Sequence, residues 1–411
     1  MKKFYNIFGV FALCLTLGAC GSDDGFTESI FDTTKSAVDP NSTTAKFDQW
    51  LNDNFVAPYN TEIQYKFNFN ASKLEYQLTP AEYEKSQLLA HFIKYLFYDV
   101  YTKAAGEEFL KLYGPRIIHF VGSYAYSPTT GTEELGYASG GVKITLINVN
   151  SLKLWSEVNP YTEKDVDLLN EKQFHTMHHE FSHILHQTKT YPIAFGQVTP
   201  GNYDARSWQE RDSVEACRLG FVTHYASSAT YEDFVETLSC TITDSDCRWM
   251  HRLIDMCLNK GMKDGDKEEV KKLIQDLGIE DAYNPNKNWN KFTIYKEYSK
   301  TSADITKVET GRYVPSFHQA DSKLHAANGV TLSYEKVKDI TSFDEFLDWV
   351  ELAPASETQG INAYLKKLDI AKKWYKENWG LDMFVLRKEV RQRQNDLNNY
   401  IKNNVTIYDY Q

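Results

Sequence analysis

The sequence predicts an α+β fold dominated by helices, with a small sheet lying beside one central helix at residues 171–188. Two observations predict it. Apolar residues recur at helical spacing in three long stretches, 80–112, 171–188 and 361–403. Two short β-branched runs, Ile117 to Phe120 and Val142 to Val149, precede the central stretch and read as strands separated by a Gly/Thr/Ser-rich segment.

The chain opens with MKKFYNIFGVFALCLTLGAC. Lys2 and Lys3 form a basic start and Phe8 to Leu17 a short apolar run, too brief and one-sided for an ordinary membrane-spanning helix. Leu17-Gly18-Ala19-Cys20 resembles the bacterial lipobox, in which small residues fit a peptidase groove and the Cys20 thiol takes a diacylglyceryl group. The alternative is a plain secretory signal cut after Ala19. Gly21-Ser22-Asp23-Asp24-Gly25 looks like the acidic export signal that sends Bacteroidota lipoproteins to the cell surface. The expected organisation is a lipoprotein signal peptide at 1–19, a lipid-anchored flexible stalk at 20–45 and a catalytic core at 46–257. An insertion or subdomain follows at 258–358, then a C-terminal helical region at 359–411 that packs on the core. The expected location is the outer membrane, facing outward.

Within the folded part, Leu88, Leu89, Phe92, Leu96, Phe97, Phe109 and Leu110 carry the first helical pattern. Asn170 and Gln173 form the expected capping box of a helix ending near Thr188, with Pro192 just beyond. Ser213 to Tyr225, Thr230 to Thr241 and 267–277 read as further helices. From 285 to 345 the chain is polar and turn-rich, and reads as an irregular insertion or small subdomain. Leu365, Leu368, Ile370 and Trp374, then Phe384, Leu386 and Val390, mark the last helical stretch, which Gly380 divides.

The net charge is −11, and no Lys/Arg run tracks a phosphate backbone, which excludes nucleic acid as the partner. The same charge disfavours peripheral binding to anionic lipid. Aromatics make up 14% of the chain, with 27 Tyr, which suits either a peptide- or glycan-contacting surface or a Tyr-rich core. After Cys14 leaves with the leader and Cys20 takes lipid, Cys217, Cys240, Cys247 and Cys257 remain. They allow three pairings, of which Cys240 with Cys247 is the best placed.

The central helix contains His179-Glu180-Phe181-Ser182-His183, an H-E-x-x-H segment. Residues i and i+4 share a helix face, so His179 and His183 can aim both imidazoles at one ion, and Zn2+ suits such a set. Glu180, on the flank, is placed to take a proton from water that the ion activates. A catalytic zinc needs a third protein ligand. The metzincin pattern fails, because His186 and Lys189 stand where it requires Gly and His. His186 at i+7 is a possible but awkward ligand. Glu232 and Glu236, i and i+4 at the start of a downstream helix, are the better candidates. One can bind metal while the other hydrogen-bonds a ligand histidine.

Gly220-Phe221-Val222-Thr223-His224-Tyr225-Ala226-Ser227-Ser228 and Glu232-Asp233-Phe234-Val235-Glu236, with His179-Glu180-Phe181-Ser182-His183, resemble the zinc-binding metallopeptidases of Bacteroidota, the substrate import-associated zinc metallohydrolase lipoproteins. Leu51 to Phe67 and Asn378-Trp379-Gly380-Leu381-Asp382 extend the resemblance to both ends, and 258–358 falls outside it. The resemblance implies a zincin-like, gluzincin-type core with one Zn2+ on His179, His183 and Glu232, Glu180 as base and Glu236 supporting a ligand. It also implies that Tyr225 faces the metal and stabilises an oxyanion. Its setting is nutrient uptake beside a TonB-dependent transporter. The Val142 to Val149 strand would form the cleft edge that pairs with an extended peptide, with Gly140 and Gly141 letting it approach closely.

Three functions compete. The first is a surface zinc hydrolase acting on a peptide or protein substrate, glycan-associated ones included. The second is a non-catalytic binding lipoprotein that keeps the zinc site and serves a transporter, against which the intact Glu180 speaks. The third is a glycan-active protein, for which no carboxylate pair can be picked out by sequence.

Overall fold

The computed structural model describes residues 38–68, 76–128, 131, 133–134, 136–139, 142–258, 266–280, 291–301, 306–318, 330–352 and 360–410. The leader, Cys20, most of the stalk, and Gly140 and Gly141 lie outside the described residues. Among the described residues no helix is long and apolar enough to cross a membrane.

Helix α1 comprises Ala45–Leu51, a π-helical turn Asn52–Val56 and Ala57–Tyr59. Strand β1 is Glu62–Gln64. Helix α2 runs through Tyr83–Ile93, a π-helical turn Lys94–Tyr98 and Asp99–Ala105, and the short α3 is Glu107–Tyr113. Strands β2 (Ile117–Phe120), β3 (Ala125–Tyr126), β4 (Glu133–Glu134), β5 (Gly136–Ser139) and β6 (Lys143–Leu146) follow. The main sheet has the order β1-β2-β6-β5, with β5 antiparallel and the rest parallel. Ile118, Phe120, Ile144 and Leu146 alternate onto one face and join the main apolar core.

The strand expected at Val142 to Val149 is therefore shorter than its β-branched run. Asn148 turns left-handed at φ 61°, and Val149–Ser151 form a 3-10 turn. β6 is also paired on both sides, so it cannot be an edge; among the described residues the edges of this sheet are β1 and β5. Gly136 of β5 lies against the central helix so closely that a Cβ there would meet Thr176 Cγ2 at 2.5 Å. That spacing requires glycine.

The central helix, α4, begins earlier than expected. It comprises Glu163–Leu169, a π-helical turn Asn170–Phe174 and His175–Thr188. Its capping box is Thr162 with Asp165, each side chain bonded to the other's backbone N–H. Asn170 and Gln173 sit mid-helix instead. Gln394 Nε2 donates to Asn170 Oδ1 at 3.2 Å, and Gln173 Nε2 donates to Ile147 O at 3.0 Å. The pair thus ties α4 to the C-terminal helices and the sheet.

Helix α5 (Ser213–Arg218) is shorter than expected, because Gly220 at φ +85° turns the chain away against Ala363. A 3-10 turn Tyr225–Ser228 leads into α6, Thr230–Thr243. Helices α7 (Asp246–Cys257) and α8 (Asp266–Leu277) follow.

The region expected to be irregular contains strands β7 (Phe292–Thr301), β8 (Val308–Pro315) and β9 (Val330–Ile340), paired antiparallel in the order β8-β7-β9, then α9, Phe343–Leu352. Its strands bury few apolar side chains, Phe292, Ile294, Val314 and Ile340 among them, so the sequence shows little alternation. Arg312 Nη2 donates to Asp212 Oδ2 at 2.7 Å, joining this sheet to the cap of α5.

Helix α10 (Gly360–Trp379) ends where Gly380 takes φ +68°, and Asp382 caps α11, Met383–Asn395. Helix α12 is Leu397–Asn404. Two cations from these helices brace α6. The Arg387 guanidinium donates to Thr241 O and Asp244 O at 3.3 and 2.6 Å, satisfying carbonyls at the end of α6. Lys367 and Asp233 form a fully buried ion pair at 2.7 Å, with Lys367 Nζ also donating to Gly220 O and Tyr203 OH donating to Asp233. Removing one partner strands a charge in the core. Lys367→Met is expected to cost about 3–5 kcal/mol of unfolding free energy. In chemical denaturation, the double variant with Asp233→Asn is expected to recover part of the loss.

Among the described residues the four cysteines, Cys217, Cys240, Cys247 and Cys257, are free, so the expected Cys240–Cys247 bond is absent. Cys240 is buried on α6, its Sγ 3.9 Å from His175 Nδ1, while Cys247 is exposed on α7 with its Sγ 3.8 Å from His251 Nε2. The two helices turn the thiols to different surroundings.

Candidate metal centre

α4 and α6 pack against each other, and their contact holds the site. His179 and His183 stand one turn apart on α4, facing Glu232 in the first turn of α6. The His179 and His183 Nε2 atoms are 3.1 Å apart, and Glu232 Oε2 lies 3.1 Å from the first and 3.3 Å from the second. Ligands about 2.05 Å from a tetrahedral zinc stand about 3.3 Å from one another, so this triangle has the size of one face of a zinc tetrahedron. Glu232 Oε2 is buried and faces the two imidazole nitrogens, as an oxygen that shares a cation with them would.

The outer partners fix the imidazoles. Glu236 Oε1 is 2.7 Å from His179 Nδ1, so that nitrogen donates and Nε2 keeps its lone pair for the centre. The same oxygen is 2.8 Å from His175 Nε2, and Thr223 Oγ1 donates to Glu236 Oε2 at 2.6 Å. His183 Nδ1 is 2.9 Å from His186 Nε2. Burial, helped by the charge of His183, pushes His186 down to about 4, so it is a neutral acceptor at neutral pH. His186 therefore orients His183 and does not join the triangle. His178 is buried elsewhere, against Phe97 and Tyr101, with Tyr101 OH 3.1 Å from its Nδ1.

Charge in the site is balanced tightly. Burial works against ionisation of Glu232, but His179 and His183 outweigh it and hold the carboxyl at about 2. Burial likewise opposes a charged His179, yet Glu232, Glu236 and Glu180 together raise it well above its ordinary value. Such a cluster demands positive charge at its centre, from a proton or from a metal ion. A ring of two lone-pair nitrogens and one carboxylate oxygen fits zinc.

Glu180 is buried beside this ring, near enough for its charge to act on both His179 and Tyr225. Burial and the neighbouring Glu232 push the Tyr225 hydroxyl far up, so it stays protonated. The Tyr225 ring is 5.9 Å from that of His179. The structure thus brings together all six residues singled out around the motif: His179, Glu180, His183, Tyr225, Glu232 and Glu236. Missing from that set were His175 and Thr223 as partners of Glu236, and His186 as partner of His183. Only the i, i+4 spacing of His175 and His179 hinted at the first.

A family model described as "Putative zinc-binding metallo-peptidase" matches residues 40–306. Among solved structures, a putative zinc-binding metallo-peptidase from Bacteroides caccae aligns with 91% of this chain and 100% of its own, at 23% identity and a TM-score of 0.50. That likeness shows a shared fold. No curated protein matches the chain.

Proposed function

The chain belongs to the putative zinc-binding metallo-peptidase family whose model spans most of it, and from that premise we propose that it hydrolyses peptide bonds with one zinc on His179, His183 and Glu232. The observation that carries this reading is the donor triangle of 3.1–3.3 Å edges with the buried Glu180 beside it. Zinc bound there would supply Lewis-acid polarisation of the reacting groups.

The protein's own residues supply the rest. Glu180 takes the proton of the attacking water and hands it to the departing amine. Tyr225, kept protonated, donates to the oxygen that gains charge as the carbonyl is attacked. Glu236 and His186 hold the two imidazoles in register. The free edge of β5, packed on α4 at Thr176, offers backbone groups to an extended peptide. The lipid on Cys20 would tether the enzyme to the outer membrane, facing outward, where it would serve a TonB-dependent uptake system.

A soluble protein of residues 26–411, incubated with a peptide library, tests the reading. Cleavage detected by mass spectrometry is expected to stop on chelation and to return with added zinc. Zinc-loaded protein that cleaves nothing would favour a binding role instead.

A further inference from the structure

Three large aromatic side chains near the centre, Trp208, Tyr225 and Tyr231, belong to neither apolar core. Trp208 packs on Tyr225, and Tyr225 and Tyr231 each pack on a site histidine. The Tyr231 ring is 6.1 Å from that of His183 and is 48% exposed. On the other side, Trp208 meets Tyr225 edge-to-face at 4.9 Å and stacks on His224 at 5.5 Å. Tyr225 in turn meets His179. Trp208 stands on a 3-10 turn, Trp208–Glu210, in the irregular segment between α4 and α5, and is half-buried. A tryptophan that fills no core yet is held rigidly by two rings is a preformed wall.

The structure assigns to Trp208 the wall of a specificity subsite beside the metal centre, which takes a large apolar or aromatic amino-acid side chain of a peptide near the scissile bond. This rests on the peptidase reading above. An apolar side chain laid against this wall leaves water at no cost in conformational ordering of the protein, since Tyr225 and His224 already fix the indole. Small or acidic side chains gain little there, and Glu232 and Glu236 further disfavour an acidic one.

The test uses the full-length protein carrying Glu180→Gln, loaded with zinc, so that peptides are bound and not consumed. It is offered peptides of one scaffold in which each position in turn is Phe, Tyr, Leu, Ala or Asp, together with a neutral oligosaccharide mixture. Retained species are read by mass spectrometry and zinc content by elemental analysis. At one position Phe, Tyr and Leu are expected to exceed Ala about tenfold. That ratio should collapse in a Trp208→Ala background and largely return in Trp208→Phe, with zinc content equal throughout. Equal retention of Phe and Ala peptides, a ratio indifferent to Trp208, or retention of sugars in place of peptides would overturn the assignment. Cleavage by the protein with Glu180 intact is followed in parallel. Apolar selectivity without cleavage would sink only the hydrolase reading, and cleavage without Trp208-dependent selectivity would sink only the subsite.

Discussion

Replacing Glu232 with Ala is expected to empty the centre of zinc. Protein purified with Glu232 intact should carry about one metal ion per chain, as one four-coordinate site requires. The variant should lose affinity by more than the roughly 10–100-fold that removal of an outer partner costs. The reason is electrostatic as well as geometric. Glu232 supplies the one anionic donor of the triangle, and the two histidines outweigh burial to hold its carboxyl at about 2, so it is ionised at neutral pH. Without it, two imidazoles remain, too few for a catalytic zinc. Folding need not suffer. The desolvation cost of a buried carboxylate is removed with it, which offsets the lost contacts. The separating measurement is thermal unfolding with and without zinc. Ligand that binds only the folded state stabilises by about 2.7 kcal/mol at 100 times Kd, so zinc should raise the midpoint of the parent and leave the variant unmoved. Equal zinc in both proteins would place the third ligand elsewhere.

How much of this centre could be read in advance follows from where its contacts lie. His179, Glu180 and His183 are local, since one helical turn fixes their relation, and Glu232 and Glu236 repeat the same spacing on a second helix. What joins the two pairs is tertiary. The contacts of Glu236 with His175 and Thr223 exist only because α4, α6 and the loop after Gly220 meet, and no window of sequence contains all three. Trp208 was illegible for another reason. It lies in a stretch without periodicity, where a rigid turn and a disordered loop read alike. The start of α4 was misplaced because its π-helical turn at Asn170–Phe174 shifts the apolar phase, making a mid-helix Asn170 resemble a cap. The β7–β9 sheet was hidden by its composition. Lys, Glu, Tyr and Thr fill both faces, so the two-residue period that marks a strand is faint. The Cys240–Cys247 pairing failed because nearness in sequence says nothing of direction. Cys240 turns inward toward Glu236 and His175, whereas Cys247 faces outward.

Glu180→Gln is expected to separate metal binding from turnover. The amide keeps the shape of the carboxylate but cannot accept a proton, so cleavage should fall about 10²- to 10⁴-fold. The loss should appear in kcat with KM little changed, because the missing interaction belongs to the transition state. Zinc content should persist, and the electrostatics favour that. Glu180 is one of three carboxylates that raise His179 toward its charged form, and a protonated imidazole cannot bind metal. Removing that charge lowers the competition from protons and leaves Glu232 and Glu236 in place. Tyr225 also loses one of the anions that hold its proton, but burial and Glu232 keep it neutral at physiological pH. The variant should thus bind substrate, hold zinc and not turn over, which also makes it the proper background for the Trp208 binding test. A variant that loses zinc along with activity would make Glu180 part of the metal's support. A variant that keeps full activity would remove it from the chemistry and leave no other carboxylate on the flank of that helix to act as the base.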